Sequence, residues 1–431
     1  MKFATPESGR PDRSRAYRWS KSGTMTPVLI GAFGLTLVLG SYEHFHGNLH
    51  RLRETVTVQP DVPATPSGPG GQDPIHLVRH SSESGNEPEF TSATLLPGRG
   101  FNLWQLTAYL PGRGETSLLL SPSMDETTNL LSGSGTDSNG SASTDFGAAF
   151  LAPWAAQLAG GPAPGTGVLQ TQWQGQRLSF PSSAPGSSLS TEGLLLSRGA
   201  DSTQTSVLTD GQSAQALFHA GSFFGDWPSN TDLTVNVELS GHTLDMTITA
   251  KNVGTIEEPF GIGWHPYFAI PSGNRSNATL VIPSSSRTEP PDRHTGLSSG
   301  NLLPVAETPY DFNKAGGTHL GNLSLDETYV DLHTGVLSDG PIAELRDPAA
   351  NYGLRVIPLS GNVTNFRVIA PASKPWVSIG PNMNMPDPFG HEWDKLDTNG
   401  MVILRPGDSV QWKVRLEIFS LSHTLGSSYG Q

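Results

Sequence analysis

The sequence contains no cysteine, few charged residues and few hydrophobic residues. Without cysteine the chain has no disulfides, no cysteine-ligated zinc or iron–sulfur site and no cysteine nucleophile. Charged residues make up 15% of the chain and hydrophobic residues 35%, both below the usual composition of globular proteins. Helical bundles and coiled coils need many Ala, Glu, Lys and Leu residues, so this composition argues against both.

Glycine, proline and negative charge are abundant instead. The 49 glycines and 35 prolines together approach a fifth of the 431 residues. This composition predicts many short strands joined by turns, together with some disordered sequence. The net charge of −13 argues against nucleic acid as a partner.

The first 42 residues have the pattern of an export segment. Residues 1–21 carry six basic residues against two acidic ones, and residues 22–42 carry no charge. A helix over 22–42 would be about 31 Å long, enough for the roughly 30 Å hydrocarbon core of a bilayer. The positive-inside rule then predicts a cytoplasmic N-terminus and a domain outside the cytoplasm, periplasmic or extracellular. Because Val38 and Gly40 fit a signal-peptidase site, a cleaved signal peptide and a secreted domain remain the alternative.

The rest of the chain divides by composition. Residues 43–89 are polar and proline-rich, which predicts a disordered tether between the membrane segment and the domain. Residues 90–421 contain the strand-like segments and are predicted to form the domain. Within them, 131–145 reads as a flexible surface insertion, and residues 422–431 are predicted to be a flexible tail.

Alternation of apolar and polar residues is clearest at 233–250. Two alternating runs flank Ser240-Gly241, which predicts an antiparallel hairpin. A third alternating run covers 410–418, and no helical pattern of convincing length occurs between 90 and 421. The sequence therefore predicts an all-β fold, a large two-sheet antiparallel β-sandwich, preceded by a transmembrane or signal segment.

The segment GIGWHPYF at 261–268 places a histidine among aromatic residues. Trp264, Tyr267 and Phe268 supply ring faces on which the C–H groups of a sugar can stack. His265 can act as a general acid near neutral pH. The same chemistry also fits a packed structural histidine at a strand end.

Two further segments carry groups that suit a pocket. Asp326 and Glu327 precede the strand-like TYVDL, where a carboxylate can bind neighbouring hydroxyls or serve only as a solvated cap. The segment 375–389, PWVSIGPNMNMPDPF, is a strand that runs into a loop, which suits either a pocket wall or a simple turn.

In this order the segments resemble those of the aldose 1-epimerase (galactose mutarotase) family. The family's HPYF stretch follows a strand and an asparagine, here Asn252. TPYDF and the later Leu325-Asp326 resemble its next pattern, and LRPGDSVQWKV resembles its closing strand. FGAAFLAPWAAQLAG at 146–160 resembles an earlier family segment. The resemblance covers roughly residues 90–421.

The resemblance implies a β-sandwich enzyme that interconverts the anomers of a free aldose without cofactor or metal. In the family a glutamate base takes the proton of the anomeric hydroxyl while the HPYF histidine protonates the ring oxygen. The ring opens, the aldehyde rotates, and closure gives the other anomer. By resemblance His265 is the acid and Asp326 binds the sugar, with Gln157, Trp264 and Tyr267 as further substrate contacts.

Three polar positions depart from the family pattern. The family base lies in an I-E-P triplet, which is Ile379-Gly380-Pro381 here, and glycine has no side chain to accept a proton. The family's early His-Gly pair corresponds to Glu192-Gly193, and its Asn-Arg pair to Ala156-Gln157.

Two functions compatible with these departures are predicted. In the first, the protein is an aldose 1-epimerase-like isomerase with Glu192 as a relocated base; Asp387 and Glu392 are weaker candidates. If the cleft is still shaped for an aldose, a glutamate introduced at Gly380 is expected to create or raise activity; if Glu192 is already the base, it is expected to add little. In the second, the protein is a catalytically impaired, membrane-tethered carbohydrate-binding module, because losing a general base costs about 10²–10⁴ in rate.

Overall fold

The computed structural model describes residues 68–421, apart from 80–84, 135–136, 164–167, 191, 293, 336–337 and 397. The predicted segments 1–21, 22–42 and 422–431 lie outside the described residues, as does most of 43–89. No helix in the described part of the chain is long and apolar enough to cross a membrane.

The described residues are mostly strands, which confirms the predicted all-β class. In chain order the strands are β1 Ile75–Val78, β2 Glu89–Leu96, β3 Asn102–Leu110, β4 Gly114–Ser117, β5 Ala148–Leu151, β6 Gly161–Pro162, β7 Val168–Trp173, β8 Gln176–Pro181, β9 Ser202–Leu208, β10 Gly211–Gly221, β11 Thr231–Leu239, β12 Thr243–Asn252, β13 Glu258–Phe260, β14 Gly263–Pro266, β15 Phe268–Ala269, β16 Thr279–Val281, β17 Ser284–Thr288, β18 Leu302–Pro304, β19 Thr318–His319, β20 Leu325–Leu332, β21 Ala343–Asp347, β22 Tyr352–Pro358, β23 Asn365–Ala370, β24 Trp376–Asn382, β25 Val402–Leu404 and β26 Ser409–Phe419.

Helices are short. The α-helix α1, Met124–Leu130, begins at the N-cap Ser123, whose hydroxyl and the Glu126 carboxylate form a capping box. The 3₁₀ helices are Pro69–Gly71, Ser141–Thr144, Leu195–Ser197, Phe223–Gly225, Pro348–Ala350 and His391–Trp393.

The strands form five antiparallel sheets in the described part of the chain, where the sequence predicted two. The largest is nine-stranded, in the order β19-β16-β21-β22-β26-β12-β11-β10-β9. One six-stranded sheet has the order β1-β2-β3-β5-β14, with β4 beside β3. The other has the order β15-β24-β23-β20-β17-β18. Small sheets are made by β6-β7-β8 and by β13-β25.

The nine-stranded sheet packs against both six-stranded sheets through Trp412 of β26. Its ring lies 6.4 Å from that of Phe150 on β5, measured between centroids. Its indole N–H donates to the carbonyl of Pro381 on β24 at 3.2 Å. The layer facing the large sheet is therefore divided in two, and the division lies where the chain passes from β14 to β15.

The predicted hairpin at 233–250 is confirmed. Strands β11 and β12 pair antiparallel with Leu239 opposite Leu244, and Ser240-Gly241 lies in the turn. The apolar side chains of both strands are buried and most of the polar ones between them are not, as the period of two requires. Strand β26 confirms the alternating run at 410–418.

The predicted disordered tether and the predicted flexible insertion both contain ordered residues. The tether 43–89 contains β1, which pairs with β2; four residues are too few for alternation to identify a strand. Within 131–145, Leu131 is fully buried, and Asp137 forms an ion pair of 2.6 Å with the buried Arg99. A single buried charge cannot be identified from a polar sequence, because its partner is distant in the chain.

Candidate active site

His265 lies where the two six-stranded sheets meet. Strand β14 places it opposite Ala149 of β5, in the first six-stranded sheet. Three residues later Phe268 pairs with Val377 of β24, in the second six-stranded sheet. Tyr267, between the two strands, is held by its backbone N–H, which donates to the carbonyl of Gly147 at 2.8 Å. The segment that carries the candidate acid is therefore fixed by hydrogen bonds to both sheets.

The imidazole of His265 is paired with a carboxylate from a distant loop. Nδ1 of His265 lies 2.8 Å from Oε2 of Glu192, and both side chains are largely buried, with 12% and 22% of their surface exposed. The Glu192 loop is anchored by Leu194, whose backbone N–H donates to the Ala152 carbonyl at 2.7 Å. Gly193 makes this approach possible: its φ is 72°, and a Cβ there would lie 2.7 Å from that carbonyl oxygen.

The other imidazole nitrogen of His265 has no partner. Nε2 is buried and makes no hydrogen bond within the described residues. A buried polar atom without a partner costs about 1–3 kcal/mol, and such atoms call for an explanation such as a functional role. With Nδ1 bonded to Glu192, Nε2 is the nitrogen left to meet a ligand.

Aromatic rings form one wall of the site. Tyr267 stacks on His265 with ring centroids 5.1 Å apart and an interplanar angle of 13°. Trp376 lies against the tyrosine ring at 4.8 Å. The Tyr267 hydroxyl donates to the Thr144 carbonyl at 2.7 Å. Burial and the negative charges of Glu192 and Asp145 raise the pKa of Tyr267, so the phenol stays protonated and acts as a binding surface rather than a base.

Trp264 is not part of this wall, contrary to the prediction. It is 1% exposed and packs edge-on against Phe268 at 5.7 Å between centroids. Successive side chains of a strand point to opposite faces, so the residue before His265 must point into the core. The aromatic pattern of GIGWHPYF did not show which residues face the site and which face the core. The sequence analysis did not identify Trp376 because it comes from another strand.

Glu192 is held in its ionised form. Burial opposes ionisation, but the charge of His265, its hydrogen bond and the charge of Arg367 together lower the pKa of Glu192. The opposite balance holds at Asp145, where burial raises the pKa and the charge of His265 only partly offsets it. Of the two carboxyls near the imidazole, Glu192 is therefore the stronger candidate for a proton acceptor that is available over a wide pH range.

Arg367 links Glu192 to the predicted sugar-binding residue Asp326. Its Nη2 forms an ion pair with Asp326 Oδ1, and Nη1 lies 3.4 Å from the Thr328 hydroxyl. Thr328 and Arg367 are opposite each other on β20 and β23, so these side chains share a face of the sheet. The Asp326 side chain is 63% exposed, which leaves it open to a ligand. Glu327 points the other way and pairs with the buried Arg287 at 2.6 Å.

The sequence did not predict Arg367, because a lone arginine in a strand belongs to no motif. Its alternation with Phe366 and Val368 would have placed it on the polar face of β23, without showing what that face meets. No group of three or more His, Asp or Glu side chains in the described part of the chain could hold a metal ion.

Residues 171–417, more than half of the chain, match the family model of aldose 1-epimerase. The chain belongs to the aldose 1-epimerase family. The matched range contains Glu192, His265, Asp326 and Arg367, whereas Asp145, the other carboxyl near the imidazole, lies outside it. Gln157 lies outside it. No curated protein matches the sequence.

Solved structures of the aldose 1-epimerase and mutarotase type share the fold at low identity. A galactose mutarotase-like protein from Clostridium acetobutylicum has a TM-score of 0.63 and 15% identity, covering 80% of this chain and 98% of its own. The aldose epimerase homologue from C. elegans gives 0.56 and 15%, with 80% and 98% covered. Galactose 1-epimerase from Lactobacillus acidophilus gives 0.54 and 14%, again with 80% and 98% covered.

The glycine at the family's base position has no room for a side chain. A Cβ on Gly380 would lie 2.4 Å from the carbonyl oxygen of Trp264, closer than real Cβ contacts come. Strands β14 and β24 therefore approach each other here through bare backbone. The predicted rescue by glutamate at 380 requires that space, so the structure argues against it.

No hydrogen bond joins Gln157 to His265 in the described part of the chain. Its side chain is exposed, and its carbonyl accepts a hydrogen bond of 2.7 Å from the backbone N–H of Asp387. Asp387 is buried, and its Oδ1 accepts from the Ala159 N–H at 2.9 Å. Asp387 interacts with Glu392, and neither of the two is paired with His265 within the described residues.

Burial and the adjacent Glu392 together raise the pKa of Asp387 to about 6, although the hydrogen bond from the Ala159 amide lowers it. Because the folded protein favours the protonated form, Asp387 stabilises the fold most below pH 4 and loses that contribution as the pH rises through 6. The wild type is expected to lose about 2 kcal/mol of unfolding free energy between pH 4 and 7 relative to Asp387→Asn.

Urea unfolding at several pH values measures this difference. Asparagine keeps an oxygen for the Ala159 N–H and tolerates the φ of 48° at this position. The exposed Asp394→Asn serves as the matched control. Parallel pH curves for the wild type and Asp387→Asn would show that this carboxyl ionises normally.

Proposed function

We propose that the protein interconverts the anomers of a free aldose by acid–base ring opening. The observation that supports this most strongly is the pair of His265 and Glu192 beside the aromatic wall, with Nε2 of the imidazole buried and unpartnered. Members of the aldose 1-epimerase family act on sugars, and this pair lies in the part of the chain that matches the family.

In the proposed reaction Glu192 is the base and His265 the acid. The Glu192 carboxylate takes the proton of the anomeric hydroxyl while the bond between C1 and the ring oxygen breaks. Nε2 of His265 gives its proton to that ring oxygen. After rotation about the C1–C2 bond, the new hydroxyl attacks the other face of the aldehyde and returns its proton to Nε2. Glu192 then returns its proton to O1, so no net proton, electron or cofactor is needed.

The remaining groups bind the sugar in this proposal. Tyr267 and Trp376 offer ring faces to its C–H groups, and the exposed carboxylate of Asp326 accepts hydrogen bonds from its hydroxyls. Arg367 holds Asp326 in place, and its positive charge adds to that of His265 in lowering the pKa of Glu192.

The alternative is a carbohydrate-binding module with little catalysis. Two observations favour it: position 380 carries no carboxylate, and the Glu192 carboxylate is already paired with Nδ1 of His265. In that case Glu192 only orients the imidazole. The two functions differ in whether Glu192 exchanges protons with a sugar.

Polarimetry of freshly dissolved α-glucose and α-galactose with the full chain distinguishes the two functions. We expect faster mutarotation than in buffer, and a loss of about 10²–10⁴-fold for Glu192→Gln. Because the pKa of Glu192 is lowered from 4.5, the wild-type rate should fall only as the pH drops below that value. Glu307→Gln, an exposed glutamate, is the control. Sugar binding without acceleration in the wild type would favour the binding module.

We also propose that the domain lies outside the cytoplasm, on a membrane anchor or after signal cleavage. The support is the charge pattern of residues 1–42. Degradation of the domain by a protease expressed in the cytoplasm would contradict this.

A further inference from the structure

A pocket lined by both apolar and polar side chains lies beside the loop that carries Glu192. Its volume is about 230 Å³, and Leu194, two residues after Glu192, forms part of its wall. The groups with chemical character are Ser138, Asn139, Arg198, Phe224 and Asp226. None of them belongs to the candidate active site.

The most unusual feature of this pocket is an exposed, strained phenylalanine. Positive φ angles of 50°, 65° and 92° occur in succession at Phe223, Phe224 and Gly225. Only the glycine adopts such left-handed conformations without strain. Phe223 is 1% exposed and so gains burial in return. Phe224 is 86% exposed, so burial of its side chain does not offset the backbone strain. Strain of this kind persists mainly at functional positions.

One face of the Phe224 ring is covered by a cation. The guanidinium carbon of Arg198 lies 4.3 Å from the ring centroid. Arg198 donates weakly, at 3.3 Å, to the His219 and Ala220 carbonyls. It forms no ion pair within the described residues, and the Asp201 carboxylate, which acts on it from a distance, accepts from the His219 amide instead.

The opposite charge in the pocket is also unpaired. The Asp226 side chain makes no hydrogen bond or ion pair in the described part of the chain, and burial raises the pKa of its carboxyl. Arg198 and Asp226 line the same pocket without contacting each other. A ligand that pairs with both groups must donate a hydrogen bond to the Asp226 carboxylate and accept one from the Arg198 guanidinium, and it must carry no net charge.

We propose that this pocket binds a neutral saccharide, stacked on the free face of Phe224 with its hydroxyls between Arg198 and Asp226. A hydroxyl group can donate and accept at once, so adjacent hydroxyls on one sugar ring satisfy both charged groups. The ring C–H groups match an aromatic face, and the Asn139 amide adds a further polar contact. Such a site holds a glycan without altering its anomeric carbon.

Binding of methyl glycosides to the full chain tests the proposal independently of the proposed reaction, because they cannot open their rings. The probes are the methyl glycosides of glucose, galactose, mannose and N-acetylglucosamine, together with methyl cellobioside, measured by calorimetry. We expect at least one to bind, with tenfold or greater weakening for Phe224→Ala and for Asp226→Asn. Val207→Ala, another strongly exposed apolar side chain, and His265→Ala should leave this affinity within twofold.

Thermal stability provides a second test, because a binding role and a structural role for Phe224 predict opposite changes in Tm. Phe224→Gly removes the strain and the ring together, so its Tm should rise while binding is lost. A lower Tm would show that Phe224 serves the fold and would overturn the proposal. Three binding results would also overturn it. The first is a glycoside affinity that is lost in His265→Ala but kept in Phe224→Ala. The second is Phe224-dependent binding of the free amino acids glycine or alanine in place of glycosides, and the third is the absence of any glycoside binding.

Discussion

A protein with His265 replaced by alanine is expected to anomerise a free aldose about 10²–10⁴ times more slowly than the wild type. The His265 imidazole is paired with Glu192 and stacked on Tyr267, and its buried Nε2 has no partner in the described site. No neighbouring group can therefore replace it as the proton donor to the ring oxygen. Polarimetry over a range of sugar concentrations should show a loss in kcat larger than any change in KM.

The fold should survive this substitution. Removing the hydrogen bond to Glu192 costs about 1–3 kcal/mol, and Glu192 is exposed enough to be hydrated afterwards. The expected signs are an unchanged β-sheet circular dichroism spectrum and a Tm only a few degrees lower. His391→Ala, at a histidine whose side chain is 99% exposed, is the matched control. Full activity of His265→Ala, or inactivity explained by unfolding, would identify His265 as a packed structural residue.

Glutamate at position 380 is expected to unfold or strongly destabilise the domain and to create no activity. The Cβ alone would lie 2.4 Å from the Trp264 carbonyl oxygen, so β14 and β24 would have to separate. Overpacking of this kind costs about 1–3 kcal/mol, and a buried, unpaired carboxylate adds several more. Since β14 carries His265, any separation would also displace the imidazole.

Chemical denaturation of a small series measures this effect. Gly380→Ala should lose about 1–3 kcal/mol and Gly380→Glu more. Gly361→Ala, at a glycine with open space around its Cβ position, should be nearly neutral. A stable Gly380→Glu protein with raised mutarotation would instead revive the hypothesis that this position is a vacant base site.

The sequence by itself was sufficient for the fold class, the hairpin of β11 and β12 and the family. Each of these depends on local information: alternation with a period of two, a turn dipeptide, or motifs whose residues are neighbours in the chain. His265 could be identified for the same reason, since its aromatic setting lies within eight consecutive residues. Strand β1 was not predicted from the sequence, because its local pattern is only four residues long.

Only the tertiary structure determined which groups meet. Glu192 and His265 are 73 residues apart, and their contact depends on a loop anchored to Ala152. Alternation required Trp264 and His265 to face opposite sides, but it could not say which side was the core. Likewise the sequence showed a glycine at 380 without the backbone that fills its space. Packing between strands that are distant in the chain determines all three, and no local pattern encodes that packing.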